Sequence, residues 1–296
     1  MNVRQLEAFQ AVFTTGLVST AAGQLGVTQP AVSTLISNLE NDIGFPLFER
    51  IRGRLIATPE AATLYGEVES VFASLERVAH TIHDIRTMSA GHLHIASMPG
   101  ATIKLFPLLI TPFLDGRPDV SLNLYSRSSP KVRDWVATGQ VDLGLAEMPI
   151  DNKAIEWEPL IQRCVLIMPT GHRLTKKEVL TPSDIKDESL ISLYGGHMVS
   201  RRLESAFEDA GLIRKSRLEV NLFSTCCNLV HEGAGVALVD PMSADHFRDH
   251  NIAIRPFEPA IHFDIAILFP ANRPHSQLAS EFAQTLKNGV RKYLVR

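Results

Sequence analysis

Several constellations in the sequence carry residue types suited to chemistry. Cys226 and Cys227 precede His231 by five and four residues, a spacing that brings thiol and imidazole together on one helix. A cysteine nucleophile also needs a base oriented by a third group, and no such group is apparent. His92 and His94 share one face of an expected strand, as a metal pair does, yet no Cys or carboxylate nearby completes a ligand set. Gly233-Ala234-Gly235 is a tight turn before a strand and lacks the length and the lysine of a phosphate loop. Catalysis, metal and cofactor are therefore not expected, and packing or surface roles are.

Two other groupings point to binding. Thr28, Gln29, Ser33, Thr34 and Ser37 recur at the spacing of one helix face, with Pro30 in the first turn, where a missing N–H costs nothing. Short polar groups of this kind donate to phosphates and base edges. Arg50, Arg52 and Arg54 follow around Gly53, a pattern that reads as a β-hairpin wing laid on a phosphate backbone or in a minor groove. A solvated charged turn is the plainer reading of the arginines taken alone. Farther along, Ser97 and Ser128-Ser129 stand where strands give way to helices, and Glu147 ends a strand. Hydroxyls and free N–H groups at such turns receive an anion, and a carboxylate beside them receives a cation. Together they suit a zwitterion, an amino acid or its derivative. The alternative is that the serines cap helices and Glu147 pairs with a local arginine.

The elements that must hold these groups can be read from periodicity. Leu6 to Phe13 form a helix ended by Thr14-Thr15-Gly16, a second runs from Ser19 as N-cap to Leu25, and a third from the Thr28 cap towards Gly44. Ala22 is small where two helices cross, Gly26 supplies the turn, and Val32 and Leu35 press the third helix onto the second. From Glu60 to Met88, the residues Leu64, Val68, Val71, Leu75, Val78, Ile82 and Ile85 alternate steps of four and three. That is a coiled-coil seam suited to dimerisation, the alternative being a helix buried against its own chain.

Beyond Gly91 strands alternate with helices in two successive sets, expected as strands at 92–97, 120–125, 141–147, 164–168, 190–193, 218–222, 236–239, 252–255 and 263–269. Such alternation builds open α/β sheets, whose ligands lie beyond the carboxyl ends of the strands. The rule selects Ser97, Met98 and Pro99, Arg127 to Ser129, and Glu147 to Pro149 from the first set. From the second it selects Tyr194 to Val199, including His197 and Met198, then Phe223 and Ser224, and Asp240 and Pro241. The expected division is 1–59 for the DNA-binding module, 60–90 for the linker helix and 91–296 for a two-lobed ligand domain. Lobe I takes about 91–162 and 267–296, and lobe II about 163–266.

Composition narrows the class. The chain has 296 residues, 45% hydrophobic and 21% charged, with a net charge of −3, which disfavours a protein that coats nucleic acid without specificity. No run approaches the roughly 18 apolar residues of a membrane span. Met1 to Glu7 does not read as a secretion signal, and three cysteines make no disulfide framework, so a cytoplasmic location is expected.

The run Leu25-Gly26-Val27-Thr28-Gln29-Pro30-Ala31-Val32-Ser33, with Leu39-Glu40 and Leu47-Phe48-Glu49-Arg50, resembles the winged helix-turn-helix of LysR-type transcriptional regulators. The segment His231 to Val239 is similar to that family's second-lobe signature, and the resemblance extends along essentially the whole chain. It departs at Thr34, where the family often has arginine or lysine, and at Glu60-Ala61, where Ala-Gly is usual. Within the family the chain looks like the branch that regulates opine catabolism.

The resemblance implies an α/β chain with an N-terminal all-α winged helix-turn-helix, a long linker helix and a C-terminal two-lobed, periplasmic-binding-protein-like effector domain. It further implies homodimers or homotetramers joined through the linker, a dyad site in double-stranded promoter DNA, a small-molecule effector in the cleft, and RNA polymerase as partner if the protein activates. A solute-binding protein or enzyme with an appended helical domain, and an architectural DNA-binding protein, are the competing classes. The first lacks a signal peptide and a catalytic constellation; the second has no use for so large a two-lobed domain.

Overall fold

The structure, a computed structural model, describes residues 1–51, 54–87, 91–248 and 250–295, with backbone alone at 50, 51, 54, 73, 76, 77, 79–81 and 83–87. Met1–Thr87 form one compact unit and Met88–Arg296 another.

In the first unit, helix α1 (Val3–Thr15) opens on a capping box, the Asn2 side chain accepting from Gln5 N while the Gln5 side chain accepts from Asn2 N. Helix α2 (Val18–Leu25) starts one residue before the expected Ser19 cap; Leu17 occupies the cap position without a side-chain bond. Gly26, at φ +65°, then turns the chain in the left-handed region, its N–H reaching the carbonyls of Ala22 and Gly23. Helix α3 (Gln29–Ile43) follows, with Thr28 at the cap position but its hydroxyl unused there. Phe9, Val12, Ala21, Val32, Leu39 and Leu47 are fully buried between the three helices and the chain that follows.

Strands β1 (Phe48–Ile51) and β2 (Arg54–Ala57) form an antiparallel hairpin, Phe48 opposite Ala57 and Ile51 opposite Arg54. Glu40 on α3 fixes its base, accepting from Leu47 N at 2.7 Å and Phe48 N at 3.3 Å. Helix α4 (Pro59–Thr87) then runs for 29 residues, about 44 Å at the usual rise. Its apolar seam divides. Leu64 and Val68 pack into the helix-turn-helix core with Tyr65 and Phe72, which is the own-chain alternative. Val71, Leu75, Val78 and Ile82 are 43%, 45%, 56% and 51% exposed. The side chain of Ile85 lies outside the described residues.

The second unit has two lobes. The first lobe begins with β3 (Gly91–Ser97), α5 (Pro99–Ile103), α6 (Leu105–Leu114), β4 (Val120–Ser126), α7 (Ser129–Ala137), β5 (Leu143–Glu147) and β6 (Ile155–Arg163). The second lobe holds β7 (Val165–Pro169), α8 (Pro182–Ile185), β8 (Leu190–Leu193), α9 (Met198–Asp209), β9 (Ser216–Val220), α10 (Phe223–His231), β10 (Val236–Val239), α11 (Pro241–His246) and β11 (Ile252–Pro256). β12 (His262–Pro270) and α12 (Gln277–Val290) return to the first. The sheets run β4-β3-β5-β12-β6 and β11-β7-β10-β8-β9.

The crossings between lobes lie side by side, Cys164 N donating to Ile261 O at 2.8 Å. β12 pairs with β6 from His262 to Pro270, so the chain re-enters the first sheet at 262 rather than the expected 267. β6 itself was not expected, because an edge strand exposing Glu156, Trp157, Glu158 and Pro159 shows no buried alternation. Lys104, at φ −129° and ψ −48°, separates α5 from α6. Phe106 and Phe113 on α6 pack on Phe282 of α12, with ring centres 5.9 and 5.0 Å apart. That packing positions the short Arg291–Tyr293 turn that follows α12.

Candidate functional site

In the first unit, burial of Val32, Ile36 and Leu39 turns the opposite face of α3 outward. Thr28, Gln29, Pro30, Ser33, Thr34 and Ser37 are all exposed and lie together along it. The Thr34 hydroxyl donates to Pro30 O at 2.9 Å, so it is tied to its own helix in the free protein. Arg50 and Arg54 stand on the two strands of the hairpin, but their side chains, and the whole of Arg52, lie outside the described residues.

In the second unit a cavity of about 450 Å³ lies between the lobes, within the usual range for small-molecule sites. Met98, Pro99, Ser128, Ser129 and Glu147 line it from the first lobe, and His197, Phe223 and Ser224 from the second. Ser97, Met198, Val199 and Pro241 are not in its lining. Ser97 is completely buried and its hydroxyl donates to Met98 O at 3.2 Å, so it offers nothing to an anion. Val199 is buried in the first turn of α9 and Met198 packs against the core.

Glu147 and its neighbours are the most organised part of the wall. The Ser129 hydroxyl accepts from Glu147 N at 3.1 Å, and Arg133 donates to the Glu147 carbonyl at 3.0 Å. The local arginine thus holds the backbone and leaves the carboxylate to the cavity. Across the cleft, His197 Nε2 stands 3.5 Å from Glu147 Oε1. Nδ1 of the same ring accepts from Val199 N at 3.2 Å, capping α9, which leaves the ring proton on Nε2 facing the carboxylate. Phe223 and Phe263 flank the imidazole, with ring centres 5.4 and 5.9 Å away. Ser128, at the cap position of α7, is exposed and makes no cap bond.

Another part of the cavity lining was not legible in the sequence. Ile103, Lys104 and Leu108 line it from the first lobe, with Lys292 and Tyr293 from the C-terminal turn. Met242 and His246 on α11 and the buried Asp240 line it from the second lobe. Burial pushes the Asp240 carboxyl up, against bonds from Ser243 N and Met242 N at 2.9 and 3.0 Å. Just outside, the Asp245 carboxylate accepts from Lys292 at 2.8 Å, the Tyr293 hydroxyl at 2.6 Å and Arg248 at 3.0 Å. These donors, Lys292 foremost, hold it well below the ordinary carboxylate range. α11 is thereby tied to the end of the first lobe.

The constellations set aside above have structural settings. Cys226 and Cys227 are fully buried, and burial pushes the Cys226 thiol up to about 12 and that of Cys227 higher still. His231 meets the His250 carbonyl instead, at 2.6 Å. The His92 ring contacts the Ser121 hydroxyl and Asn123. Among the described residues no three His, Cys, Asp or Glu gather as metal ligands, and no helix is long and apolar enough to cross a membrane.

Comparison with known proteins gives this arrangement a family. Residues 3–62 match the bacterial regulatory helix-turn-helix model of the lysR family, and residues 86–291 match the LysR substrate-binding domain. The transcriptional activator protein LysR of Escherichia coli K12 is 34% identical over 99% of this chain and 94% of its own length. The octopine catabolism/uptake operon regulatory protein OccR of Rhizobium meliloti is 36% identical over 96% of this chain and 94% of its own. In fold the chain is similar to the LysR family regulator CbnR, with TM-score 0.76 at 19% identity over 98% of this chain and 99% of that one. CbnR complexed with its target DNA is similar too, with TM-score 0.73 at 20% identity over 98% and 100%. The winged helix-turn-helix and the two-lobed domain are thus those of a DNA-binding transcriptional regulator with an effector-binding domain, and the chain belongs to the LysR family.

Proposed function

We propose that this regulator binds a dyad promoter site as a homodimer or homotetramer in the cytoplasm and answers to an amino acid or amino-acid conjugate held between its lobes. Residues 1–59 read the DNA through Thr28, Gln29, Pro30, Ser33, Thr34 and Ser37, with Arg50, Arg52 and Arg54 on the backbone. Residues 60–90 join the protomers and 91–296 hold the effector, with RNA polymerase as partner if it activates.

The observation that carries the effector reading is the Glu147 carboxylate, held on a fixed backbone opposite His197, with the free Ser128 hydroxyl in the same cavity. Such a wall pairs an ammonium with Glu147 and a carboxylate with the donors at the start of α7. The likeness to a regulator named for octopine catabolism supports the same class. The exposed run Val71, Leu75, Val78 and Ile82 supports the dimer, since a heptad seam left in water is costly.

A thermal-shift screen of amino acids and their N-carboxyalkyl conjugates tests the effector, because a ligand of the folded state raises its apparent stability. Stabilisation by none of them would sink the amino-acid reading. Light scattering of Leu75→Asp tests the seam; an unchanged mass rejects it.

A further inference from the structure

We propose that residues 291–295, which follow α12, form a brace across the hinge between the two lobes, and that Asp245 is the residue that fastens it. The brace concerns how the lobes are held, and it stands whichever molecule fills the cavity between them.

The chain passes between the lobes twice, once at Cys164 between β6 and β7 and once over 257–261 between β11 and β12. The two passages are bound to each other. Cys164 N donates to Ile261 O at 2.8 Å. The Arg163 guanidinium donates to Phe257 O at 3.1 Å and to the Glu258 carboxylate at 2.5 Å. Two short passages side by side make a pivot, and lobes joined in this way move about it unless further contacts hold them.

Residues 291–295 supply such a hold. In the first lobe, Val295 N donates to Ile161 O at 2.9 Å and Leu294 forms an antiparallel bridge with Gln162. The segment is thus paired with the end of β6, where the chain leaves for the second lobe. In the second lobe, one oxygen of the Asp245 carboxylate accepts from Lys292 at 2.8 Å and from the Tyr293 hydroxyl at 2.6 Å. The other oxygen accepts from Arg248 of its own lobe at 3.0 Å. Arg248 therefore orients the carboxylate, and Lys292 and Tyr293 are the groups that span the lobes. Gln162 adds another point of attachment: it is fully buried, and its amide donates to Met242 Sδ on α11 at 3.4 Å.

One short segment thus grips β6 and α11 at once. Its fastening is polar, a carboxylate shared between an ammonium and a phenol, and the Lys292 side chain is 66% exposed. Water can replace such bonds when the lobes move, so the brace can open as well as hold. Lys292, Tyr293 and Met242 also line the cavity. A molecule seated there meets the groups that hold the lobes, which gives occupancy of the cavity a direct route to the hinge.

Hydrogen–deuterium exchange of the full-length protein without ligand, read by mass spectrometry, tests the brace. Asp245→Asn keeps the shape of the side chain and removes its charge. It is expected to speed exchange over α11 and 291–295, and also over the two passages, 163–166 and 257–262, by about threefold or more. The buried strands β3 and β10 serve as the internal reference and are expected to keep their rates. Faster exchange confined to 241–248 and 291–295 would mean that Asp245 fastens only the segments it touches, and overturns the brace. Unchanged exchange throughout overturns it as well. If β3 and β10 speed up too, the fold itself has loosened, and Tyr293→Phe, which removes a single hydroxyl, decides by the same comparison.

Discussion

His197 Nε2 and Glu147 Oε1 face each other 3.5 Å apart, one from each lobe. The contact differs from the other ties between lobes in its freedom to change. The Glu147 backbone is fixed by Ser129 and Arg133, and the His197 ring by Val199 N, so only the carboxylate and the Nε2 proton remain to answer a ligand. On the reading proposed above, an ammonium entering the cleft would exchange His197 for itself as the partner of Glu147. Glu147→Ala is therefore expected to abolish the effector response in a reporter assay while promoter binding in a gel shift stays intact. A normal response in the variant would remove Glu147 from the site.

His246 gives the ligand domain a pH dependence of defined sign. Its pKa in the folded state lies below the ordinary histidine value of about 6.5, first through burial and then through Lys104 and His250. Between those two values the unfolded chain binds a proton that the folded one refuses, so stability falls as the pH is lowered. The contribution is fully present above about pH 6.5 and fades as pH drops towards the folded value. The melting temperature is expected to fall between pH 7.5 and 6, and less steeply in His246→Gln. Parallel curves for the two proteins would exclude His246 as the source.

What the sequence disclosed and what it concealed follow one physical line. The helices of the first unit carry their own signals, a turn glycine at Gly26 and a first-turn proline at Pro30, whereas the capping box at Asn2 and Gln5 went unread. The outward polar face of α3 follows from the 3.6-residue period alone. The wall of the cavity around Glu147 was reachable by the rule that ligands lie beyond strand ends. Lys104, His246, Lys292 and Tyr293 obey no such rule; they meet because α6 packs on α12 through Phe106, Phe113 and Phe282 and because Asp245 ties α11 to the C-terminal turn. Ser97 misled in the opposite way, since a strand-end position does not fix which way a hydroxyl turns.

Gly235 occupies the turn between α10 and β10 at φ +154°, where a Cβ would lie 1.8 Å from the carbonyl oxygen of Ser189. That oxygen also accepts from Val236 N at 3.0 Å, which starts β10 beside β8. The obstruction is backbone, so no rotamer change relieves it. Gly235→Ala is expected to cost about 2–4 kcal/mol through strain and displaced packing. A fall of roughly 4–16 °C in the melting temperature follows for a unit of this size. A shift under about one degree would mean that the turn relaxes freely, contrary to the energies expected of such strain.

Thr34 offers a test of the α3 face proposed to read DNA. It is exposed on α3 beside Ser33 and Ser37, and its hydroxyl is occupied by Pro30 O at 2.9 Å. It therefore brings no charge to a protein whose net charge is −3. An arginine there extends past the neighbouring serines and carries a fixed guanidinium to the phosphates flanking the groove. Each phosphate neutralised releases condensed counterions and steepens the fall of log affinity with log salt by about 0.9. Thr34→Arg is expected to bind promoter DNA more tightly at low salt, with that slope steeper by about one unit, as read by fluorescence anisotropy over a salt series. A tighter complex with an unchanged slope would place the arginine on a base edge. No change in either quantity would mean that this face of α3 does not meet the DNA.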